Sequence, residues 1–178
     1  RRQLLDGSQV VVLDTNLPSE SIQWVAENCR APIFADPVST AKAEKLRPVL
    51  GALHTLKPNR MEAELLSGVE ITNGESLRRA ANKLLETGLH RVFISLGADG
   101  VFAADHNGET LLLPAPKGHM VNTTGCGDSF MAALAWAYLQ GSDLERSARA
   151  GLAASTITME SADTINAAMS EEALLRRI

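Results

Sequence analysis

Short apolar runs alternate with amphipathic segments along this chain, and this alternation strongly restricts the folds that it can adopt. Strand-like apolar runs lie at residues 9–14, 32–35, 53–56 and 91–96. In the clearest amphipathic segment, residues 75–86, apolar side chains recur at helical spacing at Leu77, Ala80, Ala81, Leu84 and Leu85. Because strands that alternate with helices usually form a mostly parallel sheet with helices on both faces, we predict a three-layer α/β/α fold.

Turn and cap residues delimit the other elements. We predict further helices over residues 19–30, 40–50, 60–67 and 125–139, and a hairpin with strands over 101–104 and 110–113. Pro48 should interrupt or tighten the second of these helices, because proline has no N–H to donate. Asn59 should cap the third helix at its start and Gly68 should end it.

The C-terminal part continues the same pattern. Ser142 and Glu145 form a capping-box pattern for one helix, and Ser170 is placed to cap a last one. No repeat or linker divides the chain, so we predict a single domain over residues 1–178. The first residues resemble the end of a helix that runs directly into a strand, and we therefore expect that an upstream portion is missing.

Composition argues against several classes of protein. The net charge of -4 disfavours a nucleic-acid partner, although nucleotides can be bound by backbone amides alone. Cys29 and Cys126 lie far apart and form neither a disulfide framework nor a metal cluster, which fits a reducing, cytoplasmic setting. The longest apolar stretch, residues 130–139, is too short to span a membrane, and we expect no membrane partner.

A glycine-rich segment, residues 122–129 (NTTGCGDS), precedes the long apolar helix. Gly125 and Gly127 allow the backbone to approach a ligand closely, and a helix N-terminus presents unpaired N–H groups with partial positive charge. Asp128 follows in the first turn, where it could accept a proton from an attacking hydroxyl during phosphoryl transfer. A tight turn with an acidic first-turn residue is an equally good interpretation of this segment alone.

Other interpretations of this segment fit less well. A P-loop requires a Gly-Lys-Ser/Thr ending that the chain lacks, and a dinucleotide fingerprint requires a small residue where Phe130 stands. A serine esterase requires a histidine after its nucleophile, but the last histidine, His119, precedes Ser129. Cys126 could be a reactive thiol, but a small residue that faces the core is the better prediction.

Two further segments are candidate ligand sites. In residues 57–62 (KPNRME), Asn59 and Glu62 share one face of a helix start and could hold a hydrated Mg²⁺, or could simply cap the helix. Residues 95–100 (SLGADG) follow a strand, where open α/β sheets bind ligands, or form a plain hairpin turn. Three more polar residues follow strands, namely Asp14, Asn16 and Asp36. They could face the same ligand crevice, or could simply make turns.

The order and spacing of these three segments resemble the PfkB family of ribokinase-like carbohydrate kinases. The similarity runs over essentially the whole chain, and residues 122–128 match the C-terminal signature of the family. It implies a ribokinase-like α/β/α fold whose N-terminal part and lid are missing here, so that residues 1–178 are the nucleotide-binding portion. It also implies ATP-dependent phosphorylation of a sugar or nucleoside hydroxyl, with Mg²⁺ as a cofactor.

The resemblance implies roles for individual residues. Asp128 would be the catalytic base and would lie against the substrate, towards which Asn16 would also face. The anion hole would be formed by the backbone amides of Gly125, Cys126 and Gly127. Mg²⁺ and the ATP phosphates would be organised by Asn59 and Glu62. The ATP site would be lined by Ser95, Gly97, Ala98, Asp99, Gly100 and Gly127. A monovalent cation, K⁺, would be bound by Asn122 and Thr124.

Within the family, residues 34–39 and 54–64 are most similar to bacterial pseudouridine kinases, which implies the 5′-hydroxyl of pseudouridine as the acceptor. The alternatives are a kinase of another sugar or nucleoside and a non-catalytic nucleotide-binding module. Two departures stand out: Cys126 replaces the usual alanine, and Asn122 replaces a frequent aspartate, which weakens the case for K⁺. Because missing strands would expose a sheet edge, we expect a homodimer.

Overall fold

The computed structural model of the protein describes residues 2–116, 118 and 120–178. Among these residues, six strands form one sheet in the order β1-β2-β3-β4-β5-β6. The strands are β1 (Val11–Asp14), β2 (Ile33–Asp36), β3 (Thr55–Leu56), β4 (Arg91–Ser95), β5 (Val101–Asp105) and β6 (Thr110–Leu113). The helices are α1 (Arg2–Asp6), α2 (Ser19–Asn28), α3 (Thr40–Ala43), α4 (Arg60–Ser67), α5 (Gly74–Leu85), α6 (Cys126–Leu139), α7 (Leu144–Met159) and α8 (Glu171–Leu175).

The first four strands run parallel. Val11 pairs with Ile33, Phe34 with Thr55, and Thr55 with Arg91, so the carboxyl ends of β1 to β4 meet at one edge of the sheet. β5 and β6 follow through connections that are too short for a parallel crossover, and they therefore run antiparallel. The prediction of a mostly parallel sheet is confirmed.

Contacts divide the chain into two compact units. The first unit comprises the residues up to Leu96 together with Phe102–Leu111, and the second comprises Gly97–Val101 together with Leu112–Ile178. The description of residues 1–178 as one domain stays a prediction. No helix in the described part of the chain is both long and apolar enough to cross a membrane.

The first unit is built around the parallel strands. Apolar side chains of β2 and β4, such as Ile33 and Ile94, are buried in the same cluster as Ile22 of α2. The predicted apolar face of α5 is largely confirmed, because buried positions of this helix include Leu77, Ala80, Ala81 and Leu84. This core holds the carboxyl ends of the strands in place, and with them the polar residues that follow.

In the second unit, α6 and α7 pack closely against each other. Small residues allow this approach, and the buried positions include Ala133, Ala137, Ala150, Ala153 and Ala154. At Gly151, a Cβ atom would lie 2.3 Å from the Phe130 ring, so only glycine fits there. The close packing fixes the start of α6, where the glycine-rich segment ends.

Three local predictions need correction. The helix predicted over residues 40–50 is the short α3 followed by a 3₁₀ helix over Glu44–Ala52 that contains Pro48. The strand predicted over residues 53–56 covers Thr55–Leu56 alone. The predicted capping box of Ser142 and Glu145 is wrong.

At the start of α7 the capping residue is Asp143, whose carboxylate accepts the N–H of Arg146 over 2.7 Å. Glu145 instead pairs with Arg149 one turn later, over 2.6 Å. An aspartate and a serine cap a helix equally well, so the choice between adjacent residues depends on where the preceding turn ends.

Candidate active site

Polar residues gather where the parallel strands of the first unit end. Asp14 ends β1, Asp36 ends β2, Lys57 follows β3 and Ser95 ends β4. Because neighbouring parallel strands place their carboxyl ends side by side, these residues occupy one edge of the sheet. This is the edge at which open α/β sheets bind ligands.

Asn16, predicted to face the substrate, lies in the turn after β1. Its backbone N–H donates to Asp14 Oδ1 over 2.8 Å, and its side-chain Nδ2 donates to Asp14 Oδ2 over 3.0 Å. Lys42 Nζ donates to Asn16 Oδ1 over 2.6 Å. The turn-making interpretation is therefore correct for this pair. A role of Asn16 in substrate binding stays a prediction.

Asp36 and Lys57 form an ion pair that is almost enclosed. The distance between Asp36 Oδ2 and Lys57 Nζ is 2.9 Å, and the two side chains are 15% and 7% exposed. The second oxygen of Asp36 accepts the N–H of Val38 over 2.9 Å. Val38 has φ of 62°, a left-handed conformation that is strained for a β-branched residue. Asp36 therefore holds both a buried cation and a strained turn.

Sequence reasoning had not singled out Lys57 as a functional residue. The available signal is the position of Lys57 between a strand and Pro58, because the proline favours extended backbone there and so keeps Lys57 in line with the strand. The buried position was not predictable from the sequence, since it depends on the pairing of β2 with β3.

Asn59 and Glu62 make the capping box that the sequence predicts for α4. Asn59 Oδ1 accepts the N–H of Glu62 over 2.9 Å, and Glu62 Oε2 accepts the N–H of Asn59 over 2.8 Å. Glu62 is only 3% exposed. Burial raises the pKa of Glu62, the hydrogen bond from Asn59 lowers this pKa, and the charges of Asp36 and Lys57 act on it in opposite directions. The charges of Asp36 and Lys57 thus act on Glu62 at this edge.

The capping box limits how Asn59 and Glu62 could hold a metal. Each residue already uses a side-chain oxygen within the box. In the described part of the chain, no group of three or more histidine, cysteine or carboxylate side chains is placed to hold a metal ion. The donor set therefore fits a Mg²⁺ that keeps its water and phosphate ligands and touches the protein through water.

Ser95 lies beside the capping box. It forms an isolated parallel bridge with Asn59, and its N–H donates to the carbonyl of Pro58 over 2.9 Å. The start of α4 is thereby attached to the end of β4. Two of the predicted ATP-site residues, Asn59 and Ser95, are brought together in this way.

The turn after Ser95 belongs to the second unit. Gly97, Ala98 and Asp99 form a single exposed 3₁₀ turn. Gly100 closes this turn with φ of 97°, and a Cβ atom there would lie 1.9 Å from the carbonyl oxygen of Leu113. Glycine is required at this position by the close approach of the backbone.

The glycine-rich segment forms the start of α6, as predicted. Gly125 is the N-cap residue with φ of 85°, and no side chain caps this helix. A Cβ atom at Gly125 would lie 2.7 Å from the carbonyl oxygen of Thr164, so glycine is needed for space as well as for conformation. Gly127 and Asp128 are exposed in the first turn. A helix start without a side-chain cap leaves N–H groups and partial positive charge available to an anion.

Both the backbone and the thiol of Cys126 make polar contacts within the second unit. Its N–H donates to the carbonyl of Thr123 over 3.2 Å, so this amide is already engaged in a turn. Its thiol contacts the carbonyl of Ser155 at 3.6 Å, and the Ser155 hydroxyl donates to the carbonyl of Cys126 over 2.9 Å. Burial raises the pKa of the Cys126 thiol, which argues against a reactive thiolate and favours the packing role.

Asn122 and Thr124, the predicted ligands of a monovalent cation, also lie in this segment. Asn122 Nδ2 donates to the carbonyl of Ala162 over 3.1 Å, and Asn122 Oδ1 accepts the N–H of Thr124 over 3.0 Å. An amide nitrogen faces the carbonyl at this position, and a nitrogen that carries hydrogens cannot ligate a cation. The residues present do not fit a cation here.

Comparison with known proteins agrees with this architecture. The model of the pfkB family of carbohydrate kinases matches residues 4–171. Over 165 residues, the chain is 36% identical to a pseudouridine kinase of Escherichia coli K12, covering 92% of this chain and 53% of that protein. Over 172 residues it is 36% identical to the uncharacterised sugar kinase YeiI of the same organism, covering 96% and 48%.

The fold matches known structures as well. A ribokinase from Thermotoga maritima superimposes with a TM-score of 0.85 at 28% identity, covering 98% of this chain and 58% of that one. The ribokinase-like fold predicted from the sequence is confirmed. The chain spans about half the length of the curated relatives it matches.

Proposed function

Since the chain belongs to the pfkB family of carbohydrate kinases, we propose that the protein containing it transfers the γ-phosphoryl group of ATP to the 5′-hydroxyl of pseudouridine. The observation that carries the proposal is the start of α6. There, an exposed carboxylate, Asp128, sits in the first turn of a helix that Gly125 leaves without a side-chain cap. An anion site and a proton acceptor on one helical turn are what phosphoryl transfer to a hydroxyl requires.

In the proposed reaction, the 5′-oxygen of the nucleoside forms a bond to the γ-phosphorus. The bond from that phosphorus to the β,γ-bridging oxygen breaks, and its electron pair leaves with ADP. The proton of the attacking hydroxyl passes to the carboxylate of Asp128. Amides at the start of α6, from Gly125 and Gly127, oppose the negative charge on the transferring group. Cys126 contributes less, because its N–H is held by Thr123.

Residues of the first unit have a separate role in the proposal. Asn59 and Glu62 would hold a hydrated Mg²⁺ near the ATP phosphates, and the ion would neutralise part of the phosphate charge. Glu62 is buried beside the Asp36–Lys57 pair, which keeps its position fixed. The exposed turn of Gly97, Ala98 and Asp99, closed by Gly100, is proposed to contact the nucleotide.

Pseudouridine is proposed as the substrate because a pseudouridine kinase is 36% identical to this chain over 165 residues. A sugar kinase with the same identity supports a second candidate, phosphorylation of a different sugar or nucleoside by the same mechanism. The intact protein is proposed to act in the cytoplasm, since Cys29 and Cys126 are both free thiols.

The test is ATP consumption by the intact protein with pseudouridine, uridine, ribose and adenosine assayed in parallel. Turnover with pseudouridine alone supports the full proposal. Turnover with another member of the panel keeps the kinase and discards the substrate. ATP binding without turnover on any member favours a non-catalytic module. The Asp128→Asn variant is the matched control, because ATP consumption that survives this change arises from a different site or a contaminant.

A further inference from the structure

The side chain of Asn122 joins two segments of the second unit. Its Nδ2 donates to the carbonyl of Ala162 and its Oδ1 accepts the N–H of Thr124, over 3.1 and 3.0 Å. The backbone N–H groups of Val121 and Asn122 both donate to the carbonyl of Met159, over 2.9 and 3.2 Å. One residue thus ties the loop that enters α6 to the segment that follows α7.

The segment that follows α7 also supports the helix start directly. The carbonyl oxygen and the methyl group of Thr164 lie 2.7 and 3.0 Å from the position that a Cβ atom on Gly125 would occupy. Movement of this segment would therefore move the backbone that the proposed reaction uses to bind phosphate. The side-chain amide of Asn122 links this segment to the loop that enters α6, and this amide carries no charge.

A carboxylate at position 122 could not make the same link. It has no hydrogen to donate, so one of its oxygens would face the carbonyl oxygen of Ala162 at about the 3.1 Å that now separates donor from acceptor. Two oxygens at this distance repel each other, and a cation lying against both would relieve that repulsion. The amide removes that requirement, because its N–H group satisfies the carbonyl directly.

We propose that the Asn122 amide orders the phosphate-binding loop in place of a monovalent cation, so that the protein works without K⁺. Asn122→Asp would convert the loop into one that needs a cation. The functional half of this inference rests on the proposed kinase activity. The structural half concerns only the ordering of the loop and is independent of that activity.

The structural half is tested first, by thermal unfolding and hydrogen exchange of the intact protein in KCl and in tetramethylammonium chloride at equal ionic strength. The wild-type protein is expected to unfold at the same temperature in both salts, with equal protection of the Thr124 amide. Asn122→Asp is expected to unfold at a lower temperature in tetramethylammonium chloride and to recover in KCl. The wild-type comparison needs no variant to fold.

Turnover provides the second readout. Wild-type activity is expected to be the same in the two salts, whereas Asn122→Asp should lose about tenfold in tetramethylammonium chloride, the effect of about one lost hydrogen bond, and regain it in KCl. Asn28→Asp is the matched control, because Asn28 also donates its amide to a carbonyl, that of Trp24, but within one helix and not between two segments. This control should respond equally to both salts.

Each outcome decides the inference. Stabilisation of the wild-type protein by KCl, or an Asn122→Asp variant equally impaired in both salts, overturns it. If no protein in the series phosphorylates any substrate while the unfolding results follow the expected pattern, the kinase proposal fails and the ordering role of Asn122 stands.

Discussion

The Lys57 ammonium lies 2.9 Å from the Asp36 carboxylate, and both side chains are almost withdrawn from solvent. Their pairing connects the ends of two parallel strands at the edge where the sheet presents its polar residues. Removal of one partner leaves the other as an uncompensated buried charge, which is strongly destabilising. This ion pair is therefore a structural support of the candidate site as well as a part of its electrostatics.

We predict that Asp36→Asn lowers the free energy of unfolding by about 3–5 kcal/mol, because Lys57 then stays buried without its counter-charge. The measurement is urea denaturation of the intact protein. The control is Glu86→Gln, which breaks the exposed ion pair with Lys83. Exposed pairs contribute little, so this control should leave the midpoint nearly unchanged. Equal effects of the two substitutions would contradict the supporting role of the buried pair.

A second prediction concerns the acid sensitivity caused by His54. This residue precedes β3 and so lies at the amino ends of the strands, away from the polar residues at their carboxyl ends. His54 stacks on Phe34 and His90 at ring distances of 5.3 and 5.4 Å. Burial, followed by the charges of Arg91, His90 and His106, lowers the pKa of His54 from 6.5 to about 4. Between these two pH values the unfolded chain binds a proton that the folded protein does not. Stability should therefore fall as the pH decreases from 6.5 towards 4.

Replacement of His54 by glutamine should remove part of this acid sensitivity. The expected difference between pH 7 and pH 4 is on the order of 1–2 kcal/mol, because the ring is partly solvated and screening reduces the effect. Denaturation at a series of pH values measures it. A variant whose stability depends on pH as steeply as that of the wild-type protein would show that other groups cause the acid response.

The packing of α6 on α7 provides a third prediction. Gly151→Ala should lower the free energy of unfolding by about 1–3 kcal/mol, because the new methyl group overlaps the Phe130 ring. Gly74→Ala is the control, since Gly74 also lies in a helix, as the first residue of α5, but has nothing within 4 Å of its Cβ position. Thermal unfolding should show the loss in the first variant alone. A neutral Gly151→Ala would mean that the two helices can separate at little cost.

The exposed strand β1 leads to a fourth prediction. β1 lies at one end of the sheet, and Val12 in its middle is 50% exposed. An unpaired strand edge favours self-association, so this 178-residue chain should dimerise in solution. Val12→Lys should shift it to the monomer, which light scattering at several concentrations would reveal. A wild-type chain that stays monomeric at the highest concentration would rule out association through this edge.

Elements with local signals were predictable from the sequence. Asn59 and Gly68 mark the two ends of α4, and the structure places that helix at Arg60–Ser67 with both caps as predicted. The start of α6 was equally accessible, because Gly125 is its N-cap residue and Gly127 lies in its first turn. Such features depend on a few neighbouring residues and on backbone conformations that few residue types adopt.

Features that depend on contacts across the sequence were not predictable. The Asp36–Lys57 pair requires the pairing of β2 with β3, and the bond from Asn122 to Ala162 joins segments on either side of α6 and α7. Both involve residues whose types alone suggested turns or metal ligands. The error at Ser142 had a different origin, because two adjacent residues could each cap α7 and only the backbone distinguishes them.

The most direct test of the central claim is the kinetics of Asp128→Asn in the intact protein, with ATP and the substrate identified in the panel. We predict that kcat falls by about 10²–10⁴ while ATP affinity changes little, because the amide cannot accept the hydroxyl proton but leaves the helix start intact. A variant with nearly normal kcat would contradict the assignment of Asp128 as the base and, with it, the proposed mechanism.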